Sequence, residues 1–387
     1  MNSRPTLSPA SISAGIKGRC KPVRLDSKAL INPLTWAAII IFFATASCIH
    51  DNRKAQPLPP RKDSVKVSGE APDTLTPQIN KLNQLITSEP GNADLYWRRG
   101  KLEEAAKNYS LALTDYNHAI RLDSLKATYY YNLANLNFTI GQTRAAKDAY
   151  LHSIALDAKN TDALLRLSEL YFYVKRYTDA FDYVNRAIKV NPYIGKAYFL
   201  KGMIYLETKD TARAISSMQT ATEQDTKYYD AYIQLGLLLT RKRNRLAVDY
   251  FNSAISIDPG DREAYYDKAM FYQSAGDNEK AINAYLDLLQ VDSTYKYALY
   301  NLGYLYYYLD KPDYKKAFIY FNKALQSDSN YSYAYFSRGN CYLQFDRPEK
   351  ALADFDHAVR LNPGFTPASD AYRALKRKLS NSAAAGR

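Results

Sequence analysis

Small and large apolar positions return along this chain with a fixed long period. Alanine recurs at Ala112, Ala146, Ala180, Ala214, Ala247, Ala281, Ala317 and Ala351. The spacing is about 34 residues throughout, a period that marks an internal repeat. Ahead of each alanine stands another small residue: Gly100, Ala134, Ser168, Gly202, Gly236, Ala269, Gly303 and Gly339. Four residues before that stands a large one: Tyr96, Tyr130, Leu164, Tyr198, Tyr232, Tyr265, Leu299 and Tyr335. Four residues after each recurring alanine comes a second large position, Tyr116, Tyr150, Val184, Met218, Phe251, Tyr285, Phe321 and Phe355. Three further on the residue is small again, except at Leu288. Offsets of three and four are helix spacing. Each unit therefore predicts two amphipathic helices of about 14 residues, in the normal range for globular helices. Small residues on one helix facing large ones on the next let the backbones approach and leave no voids.

Turn chemistry punctuates the same period. Asp or Asn stands at every exit from the second helix: Asp123, Asp157, Asn191, Asp225, Asp258, Asp292, Asp328 and Asn362. A short polar side chain that can bond its own backbone suits a stop followed by a new start. Pro192, Pro259 and Pro363 follow directly, where a helix cannot continue.

This pattern resembles the tetratricopeptide repeat family. The family's helix–turn–helix of about 34 residues keeps small residues at its positions 8, 20 and 27 and a proline at 32. The resemblance covers eight units, 93–126, 127–160, 161–194, 195–228, 229–261, 262–295, 296–331 and 332–365. It implies an all-α fold, a right-handed superhelical solenoid. The fifth unit is one residue short in its inter-helix turn, and the seventh is two residues long there. Residues 78–92 read as a lone second helix, and 366–387 as a polar-faced capping helix and tail. Solenoids need such a cap for solubility.

The N-terminus follows a different pattern. Lys17, Arg19, Lys21, Arg24 and Lys28 precede an apolar run over 34–47. That run is shorter than the ~20 residues a bilayer span needs. Residues 1–47 thus read as a signal peptide, with another export signal or a short uncleaved anchor as the alternatives. Thr45-Ala46-Ser47-Cys48 resembles a bacterial lipobox, which implies lipidation at Cys48, although Thr45 stands where leucine is commoner. Ile49 after the cysteine implies, by the same analogy, an outer-membrane lipoprotein of the cell envelope. The proline- and charge-rich stretch 48–77 lacks apolar periodicity and reads as a flexible tether.

Net charge changes the picture only once it is located. Of the formal +13, residues 1–47 carry +5, 48–92 carry +1 and 366–387 carry +4, which leaves +3 over the eight units. The basicity belongs to the ends and not to a groove, so no nucleic-acid partner is expected. The run Arg241-Lys242-Arg243-Asn244-Arg245 is a local cluster, read either as a solvated loop or as a contact for anionic lipid or an acidic partner.

Chemistry is sparse. The four histidines include no i, i+4 pair, and there is no CxxC, so metal-ligand spacing is absent. No G-x-S-x-G, phosphate loop or G-x-G-x-x-G occurs. Glu103 and Glu104 are adjacent and point apart on a helix. Cys341 reads as a small buried apolar residue. No catalytic residue, metal or cofactor is expected, and the chain reads as a non-enzyme.

What the resemblance does imply is a concave face lined by positions 2, 5, 9 and 12 of each first helix. The residues there include Trp97, Tyr131, Phe138, Phe172, Phe199, Met203, Tyr266, Met270, Tyr297, Tyr300, Tyr304, Tyr307 and Phe336. No position 5 is charged, so the family's lysine-based clamp for a C-terminal carboxylate is missing. Two readings stay open at this point: tight coiling that covers the stripe, and a groove in which aromatic side chains contact a protein or peptide partner. A further alternative is a glycan-binding surface, for which Asn135, Asn301 and Arg338 are the nearby polar candidates.

Overall fold

The computed structural model describes residues 72–385. Among these the fold is all-α, with 18 helices. The first, α1, spans Pro72–Ser88. Units 1 to 4 are α2 (Ala93–Ala105) with α3 (Tyr109–Leu122), α4 (Ala127–Thr139) with α5 (Thr143–Leu156), α6 (Thr161–Tyr173) with α7 (Tyr177–Val190), and α8 (Gly195–Glu207) with α9 (Thr211–Gln224). Units 5 to 8 are α10 (Tyr229–Arg241) with α11 (Leu246–Ile257), α12 (Arg262–Ser274) with α13 (Asn278–Val291), α14 (Lys296–Tyr308) with α15 (Tyr314–Ser327), and α16 (Ser332–Gln344) with α17 (Pro348–Leu361). The last helix, α18, is Thr366–Ala385. Each packs chiefly on the helix before and the helix after it, which makes a solenoid of nearest-neighbour contacts.

Burial explains the pairing. The large residue in the middle of every second helix (Tyr116, Tyr150, Val184, Met218, Phe251, Tyr285, Phe321, Phe355) is at most 1% exposed. It lies over the small residue of its partner helix. A Cβ added to Gly303 would fall 2.7 Å from the Phe321 ring, closer than carbon atoms can stand. Glycine is thus required by close approach and not by backbone freedom.

The exits use their aspartates and asparagines locally. Asp123, Asp157, Asn191, Asp225, Asp258, Asp292 and Asp328 each accept a hydrogen bond from the backbone N–H two residues on, the geometry of an Asx turn. Asn92, Asn160 and Asp261 cap first helices, and Asp210, Asp277 and Asp313 cap second ones, each satisfying an N–H that has no intrahelical partner.

The turn inside each unit is tighter than its sequence suggests. In seven units one residue takes a left-handed backbone: Lys107, Gly141, Lys175, Lys209, Arg243, Gly276 and Asp346, with φ between 52° and 80°. Only two are glycine, so five turns hold a side chain in a conformation that costs about 1–2 kcal/mol. The seventh unit avoids it, because its two extra residues let Leu309 leave α14 extended (φ −60°, ψ 158°).

One boundary differs from the sequence reading. Helix α1 begins at Pro72, so residues 72–77, assigned to the tether, are helical. A proline at the first position lacks only an N–H that has no intrahelical partner anyway. Cys48 and the remainder of the tether lie outside the described residues, as does the signal segment.

Candidate binding groove

The thirteen residues assigned to the groove fall into three kinds of place. Tyr297 (41% exposed) and Phe138 (36%) are open to solvent. Trp97, Tyr131, Phe172, Phe199, Tyr266, Met270, Tyr304 and Tyr307 are half-buried. Met203, Tyr300 and Phe336 are buried, at 5%, 7% and 6%. These last three are floor and not contact surface, which corrects their assignment. Met203 packs with Met218, Leu235 and Leu238. The Tyr300 ring centroid is 5.6 Å from Phe321 and 5.2 Å from Tyr331, and Phe336 is wedged between Phe355 and Phe365. Tyr300 and Phe336 hold the fifth position of their first helices, where residues of the next turn and helix cover them, as the buried Leu165 and Ile233 also do, whereas Met203 holds the ninth position and is covered by Leu235 and Leu238 of the following unit.

In the C-terminal half the aromatic rings touch one another. Tyr266 lies 5.6 Å from Tyr295 and 6.3 Å from Tyr297, and Tyr297 lies 6.1 Å from Tyr331. On α14, Tyr304 packs on Tyr308 at 4.6 Å, and Tyr307 meets Tyr308 at 4.9 Å and Tyr314 at 5.1 Å. Tyr300 accepts a hydrogen bond from Ser337, and Tyr307 one from Gln344. Burial pushes these phenols up, that of Tyr307 to about 12, and the Tyr304 and Tyr308 phenols rise for the same reason: the charged form loses its water. Behind them burial also raises the Cys341 thiol to about 12, which keeps it protonated and unreactive.

The N-terminal half is different. Trp97 donates from its indole to Asn132 (3.0 Å) and carries Lys101 over its ring at 4.9 Å, a cation–π contact. Glu169 on α6 holds both Arg166 and Lys196 at 3.0 Å. Phe138 and Tyr173 meet edge to face at 6.4 Å, Phe172 and Tyr177 meet at 5.9 Å, and Phe199 touches Tyr228 at 5.1 Å. Tyr131 leans on the buried Tyr150 at 6.3 Å.

Three of the buried tyrosines reach through the layer to the concave side. Tyr116 donates to Glu104 (2.6 Å), Tyr150 to Asn135 (2.6 Å) and Tyr285 to Gln273 (2.7 Å). Met270 lies beside the third of these hydroxyls at 3.0 Å. Burial raises the Glu104 carboxyl, opposed by the Tyr116 hydroxyl and Lys101.

Several exposed side chains lie outside the thirteen residues assigned to the groove: Tyr173 (72%), Tyr193 (75%), Leu125 (78%) and Tyr308 (44%), the last of them part of the tyrosine-rich α14. Tyr173 and Tyr308 follow position 9 of their units by four residues, so the helix period that found the stripe also contained them. Leu125 and Tyr193 stand in turns, where no such signal exists.

Family models for the tetratricopeptide repeat match residues 127–160, 195–228, 266–332 and 332–365. The solenoid is built of tetratricopeptide repeats. Among curated proteins, the human mitochondrial import receptor subunit TOM70 is 24% identical over 190 residues, 47% of this chain and 31% of that protein. Human protein O-mannosyl-transferase TMTC3 is 24% identical over 240 residues, 61% of this chain and 24% of that one. The match thus spans less than a third of either relative. The crystal structure of the C-terminal part of a tetratricopeptide repeat protein from Cytophaga hutchinsonii superposes with a TM-score of 0.55 at 19% identity, over 62% of this chain and 98% of that one. It shares the fold. Tetratricopeptide repeats generally mediate contacts between proteins and are generally non-catalytic.

Proposed function

We propose that this chain is a non-catalytic protein-interaction scaffold, held at a membrane by a lipid on Cys48, that takes an apolar peptide segment or helix of a partner in its concave groove. Its setting on this reading is the cell envelope, as an outer-membrane lipoprotein. The observation that carries the groove is the run of touching rings from Tyr266 to Tyr331, with Tyr297 and Tyr308 open at its surface. Tyrosine gives large contact area at low entropy cost, and its hydroxyl tolerates water when the site is empty. The glycan alternative is weakened by a specific finding. Its three polar candidates are already engaged inside the fold: Asn135 by Tyr150, Asn301 by Tyr285 at 2.8 Å, and Arg338 by Asp354 and Asn322.

The test is in-cell crosslinking with mass spectrometry, comparing wild type with Tyr297→Ala/Tyr308→Ala. Both side chains are exposed, so the double variant keeps its helicity. A protein recovered with wild type and at least about ten-fold depleted with the variant supports the groove. Equal recovery with both forms removes it. Fractionation of Cys48→Ala in the same cells tests the anchor, which is wrong if that variant stays with the membranes.

A further inference from the structure

Four of the eight turns between paired helices pair a cation with an acid of their own. Arg176 pairs with Asp179 at 2.8 Å, Arg213 with Asp210 at 3.5 Å, Lys280 with Asp277 at 2.8 Å and Lys316 with Asp313 at 3.4 Å. The fifth unit does the opposite. Its turn holds Arg241, Lys242, Arg243 and Arg245 within five residues and no acid. Where the fourth, sixth and seventh units place a capping aspartate it has the uncharged Asn244, whose side chain accepts the N–H of Leu246 at 3.0 Å. No carboxylate among the described residues forms a salt bridge with any of the four. Asp277, in the next unit, is bonded to Lys280, and the charge of Arg245 reaches both at longer range.

The backbone works against this cluster as well. Arg243 sits at φ 52°, a left-handed position better suited to glycine. The turn is one residue short, and α11 behind it has 12 residues where the other second helices have 14. Four like charges in a strained tip repel one another, and no salt bridge offsets that repulsion. All six residues from Arg241 to Leu246 are exposed, and Leu246 is an apolar side chain left 52% open beside them.

We infer that this turn is a second contact site, separate from the groove, that docks on the anionic headgroup layer of a lipid membrane. A protruding tip offers no concavity to enclose a peptide. A flat polyanionic layer can meet all four cations together, while the leucine enters the boundary between headgroups and acyl chains. Lys175 and Lys209 hold the same left-handed position two units and one unit earlier, in turns where an aspartate pairs with the neighbouring arginine. The contact would hold one side of the solenoid against the bilayer and leave the opposite edge of the groove accessible. It does not depend on the groove reading, because no residue is shared between the two sites.

The experiment is vesicle co-sedimentation of the full chain, on phosphatidylcholine alone and on phosphatidylcholine with one-third phosphatidylglycerol. Any insertion of the N-terminal apolar run is common to both vesicles, so the readout is the ratio between them. Three proteins are compared: wild type, a turn variant (Arg241→Gln/Lys242→Gln/Arg243→Asn/Arg245→Gln), and a charge-matched control (Lys159→Gln/Lys189→Gln/Lys323→Gln/Arg377→Gln). Each basic residue near an anionic surface is worth about five-fold in partitioning, so the turn variant is expected to lose about 100-fold or more of the anionic preference. The control should keep most of it, and high salt should abolish it. The inference fails if turn variant and control lose the preference equally, since net charge alone then explains it. It also fails if wild type shows no anionic preference but binds immobilised polyglutamate through the turn, which would make the partner an acidic protein.

Discussion

The concave faces of the two halves of the solenoid are built on one backbone repeat from different chemistry. In units 1 to 3, isolated ring pairs alternate with polar ties: Trp97 is held by Asn132 and Lys101, and Arg166, Glu169 and Lys196 pair beside Leu165. In units 6 to 8, ring meets ring in longer runs, with Lys296 lying over the Tyr297 and Tyr331 rings. Directional bonds fix side chains in the first half. In the second, contacts that tolerate small shifts leave the rings able to repack around an occupant. The repeat therefore specifies the scaffold, and the residues between its fixed positions decide what each stretch of groove can accept.

The sharpest way to break this comparison is to remove the ring beneath the tyrosines. Phe321→Ala should cost about 3–5 kcal/mol, the usual loss for a buried phenylalanine. It should also free Tyr300, which rests on that ring. Denaturant melting with tyrosine fluorescence would show both effects, whereas Val184→Ala, its counterpart in the third unit, should cost far less. Equal costs would mean that the aromatic half does not lean on its second helices.

A smaller effect separates the first unit from the others by pH. Tyr116 donates to a carboxylate, Glu104, while Tyr150 and Tyr285 donate to the amides of Asn135 and Gln273. Burial holds the Glu104 carboxyl above its ordinary 4.5. It therefore favours the fold when protonated, and that contribution is lost as pH rises through the folded value. Glu104→Gln keeps the acceptor and removes the buried charge. It should stabilise the protein by about 1 kcal/mol at pH 7 and by little near pH 4. A gain that is the same at both pH values would exclude the charge as its source.

The smallest expected change concerns a turn. Lys175 holds its side chain at φ 60°, and Lys175→Gly relieves that strain. The greater freedom of glycine in the unfolded chain offsets part of the relief, for a net gain of about 0.5 kcal/mol. A fall in melting temperature would show that this lysine makes a contact worth more than the strain.

Much of the fold was legible because it rests on periodic burial. A large apolar or aromatic residue returns wherever a second helix meets its partner, from Tyr116 to Phe355, and the aspartates and asparagines at the exits announce their turns. The concave face was less legible. Sequence placed Tyr300 and Tyr304 on one stripe, four residues apart, yet the first is buried and the second half-open. Which of the two is covered depends on how far the next unit leans over, a packing distance that the pattern does not encode. The left-handed turns were missed for a related reason. Lysine and arginine occupy positions where glycine would have signalled the conformation, because the packing of the two helices overrides local preference. The early start of α1 was hidden by Pro72 and Pro77, residues that suggest a linker yet lie within that helix.

The buried phenols have one more consequence. Tyr300, Tyr304, Tyr307 and Tyr308 all have their ionisation pushed upward, as does the thiol of Cys341 behind them. This patch is thus electrically silent: none of its own groups gains or loses a proton as a compartment acidifies or becomes mildly alkaline. A partner seated there would respond to acidity only through its own ionisable groups, so any pH sensing in the complex at this patch would belong to the guest and not to the host.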